Sequence, residues 1–244
     1  MNIAVIFAGG IGSRMGTTKL PKQFLEVDDK PIIIHTLEVF NNCSEIDYIG
    51  IACLEEYIPY LKEQLERFHI DKVRYLVPGG KTGQLSIYNV IREIYADPKI
   101  DRDATLLIHD GVRPNIDEEL ILKNIQKVKE SGSSVTISPA QETIFLSKDH
   151  QSIDSILNRD IAYHAKAPQC FCLKDIYKVH EEAIQKGDIN NWDSCSLMFK
   201  NGYPLNFVLG KNSNLKITTM EDFYLFVTLY EIQKREKNRK LEKR

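Results

Sequence analysis

The apolar run Asn2–Ala8, which passes without a break into Gly9-Gly10-Ile11-Gly12, constrains the fold more than any other stretch of this chain. A short, nearly all-apolar segment that stops at paired glycines has the pattern of a strand buried on both faces, and such strands belong to parallel sheets. The pattern recurs. Tyr48–Cys53 reads as another buried strand, Val73–Val77 runs into Pro78-Gly79-Gly80, and Ala104–His109 ends on Asp110-Gly111. Helical spacing of apolar residues separates these runs at Ile32–Asn41, Glu55–Phe68 and Ser86–Tyr95, and continues at Asp117–Ser131 before a strand-like Ser133–Ser138. This alternation predicts an α/β fold: a single Rossmann-like three-layer domain with a mostly parallel sheet between helices.

From Gln141 to Ala167 the alternation stops. Thr143–Leu146 and Ala162–Ala165 read as strands around a polar loop, so this stretch is expected to be a β-arm projecting from the sheet. Helical spacing returns at Leu173–Lys186 and Met220–Tyr230, with a strand at Leu205–Leu209. The domain is expected to span residues 1–232, and residues 233–244 to form a basic, solvated helix end. A chain of 244 residues suits one domain of this kind, and a formal net charge of −2 argues against bulk attraction to nucleic acid. Any anion site must therefore be local. Five cysteines, odd in number and without zinc or thioredoxin spacing, predict reduced thiols and a cytoplasmic location. No apolar run is long enough for a membrane span, and no secretory leader is evident.

Three glycine turns thus follow strands, and in an open parallel sheet ligands bind beyond the carboxyl ends of the strands. The turn Ala8–Met15 lets backbone N–H groups approach phosphate closely, because glycine carries no Cβ. Arg14 follows close behind, and Lys22 sits in Leu20-Pro21-Lys22-Gln23-Phe24, where Pro21 stiffens its presentation. In-line attack on the α-phosphorus of a triphosphate needs such fixed cations to offset charge repulsion and to hold the leaving pyrophosphate. Two other readings stand beside this one: a dinucleotide-binding turn, whose spacing is not matched, and a plain loop with solvent-facing cations. A Walker A turn is excluded, since no Gly-Lys-Ser/Thr follows.

These residues resemble the cytidylyltransferases that act on methylerythritol phosphate and ribitol phosphate. Ala8–Met15 and Pro21-Lys22-Gln23-Phe24-Leu25 match first. Then come Gly79-Gly80 with Ser86, His109–Pro114, Ala167-Pro168-Gln169 and Asn214-Leu215-Lys216-Ile217-Thr218, in the family's order to about Phe226. The resemblance implies that Arg14, Lys22 and Lys216 are catalytic. It implies that Ala8, Gly9, Gly10, Gly12, Gly80, Lys81, Ser86, Asp110 and Gly111 hold the nucleotide, and that Asp110 also binds Mg²⁺. Thr143, Arg159, Lys216 and Asp193 would receive the acceptor, with the arm reaching across a homodimer so that Thr143 and Arg159 serve the neighbouring site. CTP and a small polyol phosphate are the implied partners, with neither nucleic acid nor membrane, and cell-wall or capsule biogenesis is the setting.

Residue by residue, plainer readings remain open. His109 reads as a packed histidine and Arg113 as a brace for the Asp110 turn. Asp110 could cap a helix, Arg159 could be a surface arginine and Lys216 a strand lysine. Asp193 fits the acceptor site and a helix cap equally. Gly83 stands where the family usually has an arginine, and Lys81 cannot reproduce its forked contact. Ala167 replaces a usual threonine, and Trp192-Asp193-Ser194-Cys195-Ser196 keeps one acid of the usual Thr-Asp-Asp/Glu-Ala-Ser. The nucleotide half is kept while the acceptor half has drifted. The expected reaction is therefore CTP plus a polyol phosphate, with D-ribitol 5-phosphate as the lead acceptor. 2-C-methyl-D-erythritol 4-phosphate is the alternative, and a non-catalytic nucleotide-binding module is the alternative of another class.

Overall fold

The computed structural model describes residues 1–10 and 20–241. Seven strands form the central sheet: β1 (Asn2–Ala8), β2 (Tyr48–Cys53), β3 (Val73–Pro78), β4 (Thr105–Asp110), β5 (Ser133–Pro139), β6 (Tyr163–Cys172) and β7 (Phe207–Leu209). Their spatial order is β7-β5-β6-β4-β1-β2-β3. β1 pairs in parallel with β2 and β4, β2 with β3, and β5 with β7; β6 alone runs antiparallel, between β4 and β5. The mostly parallel α/β sheet expected from the sequence is present.

Side chains of β1 alternate between the two layers, as a strand buried on both faces requires. Ala4, Ile6 and Ala8 pack in one core with Leu37 and Phe40 of α1 (Ile32–Asn42), Leu61 of α2 (Ile58–Arg67) and Ile121 of α4 (Glu118–Ser131). Ile3 and Val5 face the other core, with Val90 and Ile94 of α3 (Gly83–Ala96), Ile176 of α5 (Leu173–Gln185) and Leu197 of α6 (Ser194–Lys200). Gly50 is what lets α3 lie so close to the sheet, since a Cβ there would come within 2.4 Å of Val90 Cγ1. After β1 the chain moves outward through β2 and β3, then returns by α3 to place β4 on the opposite side of β1. That reversal opens a crevice between the carboxyl ends of β1 and β4, the position where open parallel sheets bind ligands.

Two features differ from the sequence reading, and a third carries it further. Ala162–Ala165 is not a strand of the arm: residues from Tyr163 belong to β6, inside the main sheet, and the arm's own ladder joins Phe145–Leu146 to Ser155–Ile156. The apolar alternation of β6 is hidden because its first half is exposed and only its second half is buried. α6 went unread because it is a short helix started by an Asp193 cap, whose carboxylate accepts from Ser196 N–H at 2.8 Å. Finally, α7 (Met220–Leu241) continues unbroken past position 233. Lys234 and Tyr230 hold it to Asp28, at 2.7 and 2.9 Å, so polar anchors do what periodicity did not signal.

His180, on α5, is 1% exposed and neither ring nitrogen has a hydrogen-bond partner. Burial lowers its pKa to about 4. The unfolded chain, near 6.5, therefore binds a proton that the folded chain refuses, and stability that is full above pH 6.5 falls as pH drops toward 4. Urea unfolding is expected to lose on the order of 3 kcal/mol over that window from this residue. His180→Leu should flatten that part of the pH profile.

Candidate active site

A cleft of about 370 Å³ opens at the carboxyl ends of β1 and β4, lined by Ala8, Gly9, Gly10, Lys22, Gly80, Lys81, Ser86, Asp110 and Lys216 among others. Nine of the residues singled out from the sequence thus meet in one place. Gly12 and Arg14 lie outside the described residues. Gly111 sits behind the cleft: its N–H donates to the Phe7 carbonyl at 3.0 Å and its carbonyl accepts from Thr36 Oγ1 at 3.1 Å.

Lys22 reaches the cleft because of its neighbours. Gln23, 1% exposed, donates through Nε2 to the Ala8 carbonyl at 2.7 Å, and so ties the short 3₁₀ turn Lys22–Phe24 to the end of β1. Phe24 anchors the same turn by stacking on Tyr57 at 5.0 Å between ring centroids. Sequence reasoning quoted Gln23 in a motif without giving it a task. Its signal is positional: a buried amide beside a functional lysine has to find a backbone partner.

The turn after β3 is organised by Ser86. Its Oγ accepts from Gly80 N–H at 2.9 Å and donates to the Thr82 carbonyl at 2.9 Å, so this hydroxyl shapes the turn that lines the cleft. Thr82 caps α3 by accepting from Leu85 N–H at 3.2 Å. A Cβ on Gly80 would lie 2.4 Å from Leu85 Cβ, so this close turn requires glycine.

Asp110 ends β4 and is 5% exposed. Arg113 Nε lies 3.1 Å from Oδ2, and Lys216 Nζ lies 2.6 Å from Oδ1. Burial by itself would raise the carboxyl pKa, but the Arg113 and Lys216 charges hold it well below the usual carboxylate range. Arg113 also donates to the Asn214 carbonyl at 2.9 Å, confirming it as a brace. His109 is wholly buried, with Nε2 3.0 Å from the Arg113 carbonyl and a pKa lowered to about 4 by burial, as a packed histidine should be. Oδ1 of Asp110 is buried and, among the described residues, faces the Lys216 ammonium alone. A hard carboxylate oxygen at the wall of a cleft would suit Mg²⁺ as one ligand, the others coming from substrate phosphate and water. Among the described residues no group of three or more His, Cys, Asp or Glu could hold a metal by itself.

A second cleft of about 250 Å³ adjoins the first and shares Phe7, Gly83, Asp110 and Lys216 with it. Asp193 caps α6, as one of its two readings has it, and also lines this cleft. Gln84, Asn191, Trp192 and Lys166 also line it, and none was singled out from the sequence. Gln84 accepts from Asn191 N–H at 3.0 Å and donates to the Asp188 carbonyl at 2.8 Å, fastening the loop that carries Trp192 to the start of α3. Thr143 and Arg159 stand apart. Thr143 lines a separate cleft at the base of the arm, and Arg159 is exposed on the arm, donating to the Gln141 carbonyl at 3.2 Å.

Two clefts that meet at one buried carboxylate between cations suit a reaction in which both substrates bring phosphate, and the class is that of nucleotidyltransferases. The family model for IspD, 2-C-methyl-D-erythritol 4-phosphate cytidylyltransferase, matches residues 2–229, and the chain belongs to that family. It is 47% identical over 236 residues to a protein of Streptococcus agalactiae serotype V named ribitol-5-phosphate cytidylyltransferase, covering 97% of this chain and 98% of that one. A protein of the same name from Vibrio parahaemolyticus is 45% identical over 233 residues, covering 96% and 97%. Among solved structures, the 4-diphosphocytidyl-2C-methyl-D-erythritol synthase of Anaerococcus prevotii superposes with a TM-score of 0.77 at 30% identity, covering 94% and 95%. No helix among the described residues is long and apolar enough to cross a membrane.

Gly80→Ala is expected to force the turn open against Leu85 and to weaken CTP binding at least about tenfold, while the sheet stays folded. Calorimetry with CTP, alongside circular dichroism, checks this.

Proposed function

We propose that the protein transfers CMP from CTP to D-ribitol 5-phosphate, forming CDP-ribitol and releasing pyrophosphate. One observation carries this reading: the two clefts share a wall, Phe7, Gly83, Asp110 and Lys216, where two phosphates would have to meet. The triphosphate lies over Gly9-Gly10 with Lys22 at its side, and Gly80, Lys81 and Ser86 border the nucleoside. The acceptor enters from the second cleft, and an oxygen of its phosphate attacks the α-phosphorus in line. The bond to the α,β-bridging oxygen breaks, and pyrophosphate leaves with that electron pair. An ionised phosphate needs no general base, which agrees with the absence of any catalytic task for His109. Lys22 and Lys216 offset charge as it develops, and Arg14 joins them on the strength of the motif alone. Asp110 would hold Mg²⁺, whose chemistry is to neutralise phosphate charge.

Ribitol 5-phosphate is preferred over methylerythritol phosphate because the curated relatives at 45–47% identity carry the ribitol name, while the acceptor-side motifs depart from the methylerythritol pattern. At Gly83 a Cβ would meet nothing within 4 Å, so the shared wall is open where the family usually has an arginine. A homodimer is part of the proposal. The arm exposes Phe145, Ile153, Ile156 and Ile161 at 51, 60, 63 and 76%, an apolar run that pairing with a second copy would cover. Thr143 and Arg159 would then serve the neighbouring site.

An acceptor panel with CTP and Mg²⁺, followed by pyrophosphate release, tests the reading. Ribitol 5-phosphate should exceed methylerythritol 4-phosphate and glycerol phosphates in kcat/KM by at least about a hundredfold. A preference for methylerythritol 4-phosphate would replace the assignment, and CTP binding without turnover of any acceptor would favour a binding module. Lys22→Ala should lower kcat by a factor on the order of 10²–10³. An activity within about twofold of wild type would remove Lys22 from the mechanism.

A further inference from the structure

Lys166 lies at an irregularity in β6. The β6–β5 ladder pairs Ala165 with Ile137 and resumes only at Gln169 opposite Val135, so Lys166, Ala167 and Pro168 face Thr136 alone. Bulges of this kind turn side chains away from the ladder and are common beside active sites. Asn214, 1% exposed, donates through Nδ2 to the Ala167 carbonyl at 2.7 Å and so fixes the bulge next to Lys216. Half-buried there, Lys166 lines both the second cleft and the cleft at the base of the arm that holds Thr143.

The charge around it does not balance. Arg113 and Lys216 already share the carboxylate of Asp110, and the other carboxylate of this cleft, Asp193, accepts from Ser196 N–H and Gln169 Nε2 instead. Lys166 adds a third cation, and among the described residues it has no hydrogen bond or ion pair. Burial and the Arg113 charge both push its amino group below the ordinary lysine value. A half-buried ammonium with no carboxylate partner is costly unless an anion arrives to pair with it. The anion that enters this cleft in the proposed reaction is the attacking phosphate. It must approach a triphosphate of like charge.

We propose that Lys166 binds the phosphate of the acceptor in the second cleft, and so offsets the repulsion between the two substrates as they meet. The inference rests on the second cleft being the acceptor site. A lysine suits this task, because a compact charge on a flexible stem can follow a phosphate as it moves toward the α-phosphorus.

The test uses Lys166→Met and Lys166→Arg. The chain has one tryptophan, Trp192, 98% exposed and lining the same cleft, so its fluorescence reports binding there without turnover. Inorganic phosphate, ribitol 5-phosphate and ribitol are titrated into each protein, CTP affinity is measured by calorimetry, and the oligomeric state by sedimentation. Lys166→Met should weaken inorganic phosphate and ribitol 5-phosphate, and raise the acceptor KM, by about 10–100-fold, as loss of one charged contact does. Lys166→Arg should recover most of that loss, while CTP affinity and the response to unphosphorylated ribitol stay unchanged. Equal weakening of CTP, loss of the oligomer with phosphate affinity intact, or phosphate affinity within about twofold of wild type would each overturn the proposal. Inorganic phosphate keeps the test readable if ribitol 5-phosphate proves not to be the acceptor, so the two readings fail separately.

Discussion

A carboxylate buried at a strand end survives only if cations hold it, and Asp110 is held by Arg113 and Lys216 at 3.1 and 2.6 Å. Withdrawing a carboxylate from water costs several kcal/mol, so such a cluster stabilises position more than it stabilises the fold. What it positions is considerable. Arg113 carries the contact onward to the Asn214 carbonyl, and Asn214 carries it to Ala167 in the bulge of β6. Ile217 N–H donates to the Val112 carbonyl at 2.9 Å, so the segment bearing Lys216 is tied to the same turn. The last residue of β4, the bulge of β6 and the approach to α7 are thereby locked around one charge.

The two clefts depend on each other through the start of α3. Gly80–Gly83 line the first cleft, and the adjoining Gln84 fastens the Asp188–Asn191 loop. Thr82 adds a bond from Oγ1 to the Ile189 carbonyl at 2.8 Å while it caps the helix. On the other side, Gln169 of β6 donates to Asp193 Oδ2 at 3.0 Å and accepts from Cys195 N–H at 2.8 Å. The loop that carries Trp192 therefore hangs between the turn after β3 and the central sheet. Both supports thus bear on the lining of the second cleft.

Much of this is legible in the sequence. Buried strands that end in glycines predicted the parallel sheet, because only a strand covered on both faces is apolar throughout. The same glycines marked the cleft, and at Gly80 the turn itself leaves no room for a Cβ, which would lie 2.4 Å from Leu85 Cβ. β6 was cut short in the reading, because its exposed half and its bulge break the period-two pattern. Gln23, Gln84 and Lys166 were overlooked for a common reason: an amide or a lone lysine carries no local signature, and its task is defined by a partner far along the chain. Gln84 meets Asn191 across 107 positions.

By itself the sequence determined the sheet's character, the glycine turns and the residue types able to manage phosphate, since these follow from periodicity and from the sterics of single residues. Only the tertiary structure decided which cations share a carboxylate and which stand alone. It also decided that Thr143 and Arg159 lie apart from the main cleft of their own chain. The physical reason is range. Backbone preference acts over a few neighbouring residues, whereas charge pairing and burial depend on distances that the fold alone establishes.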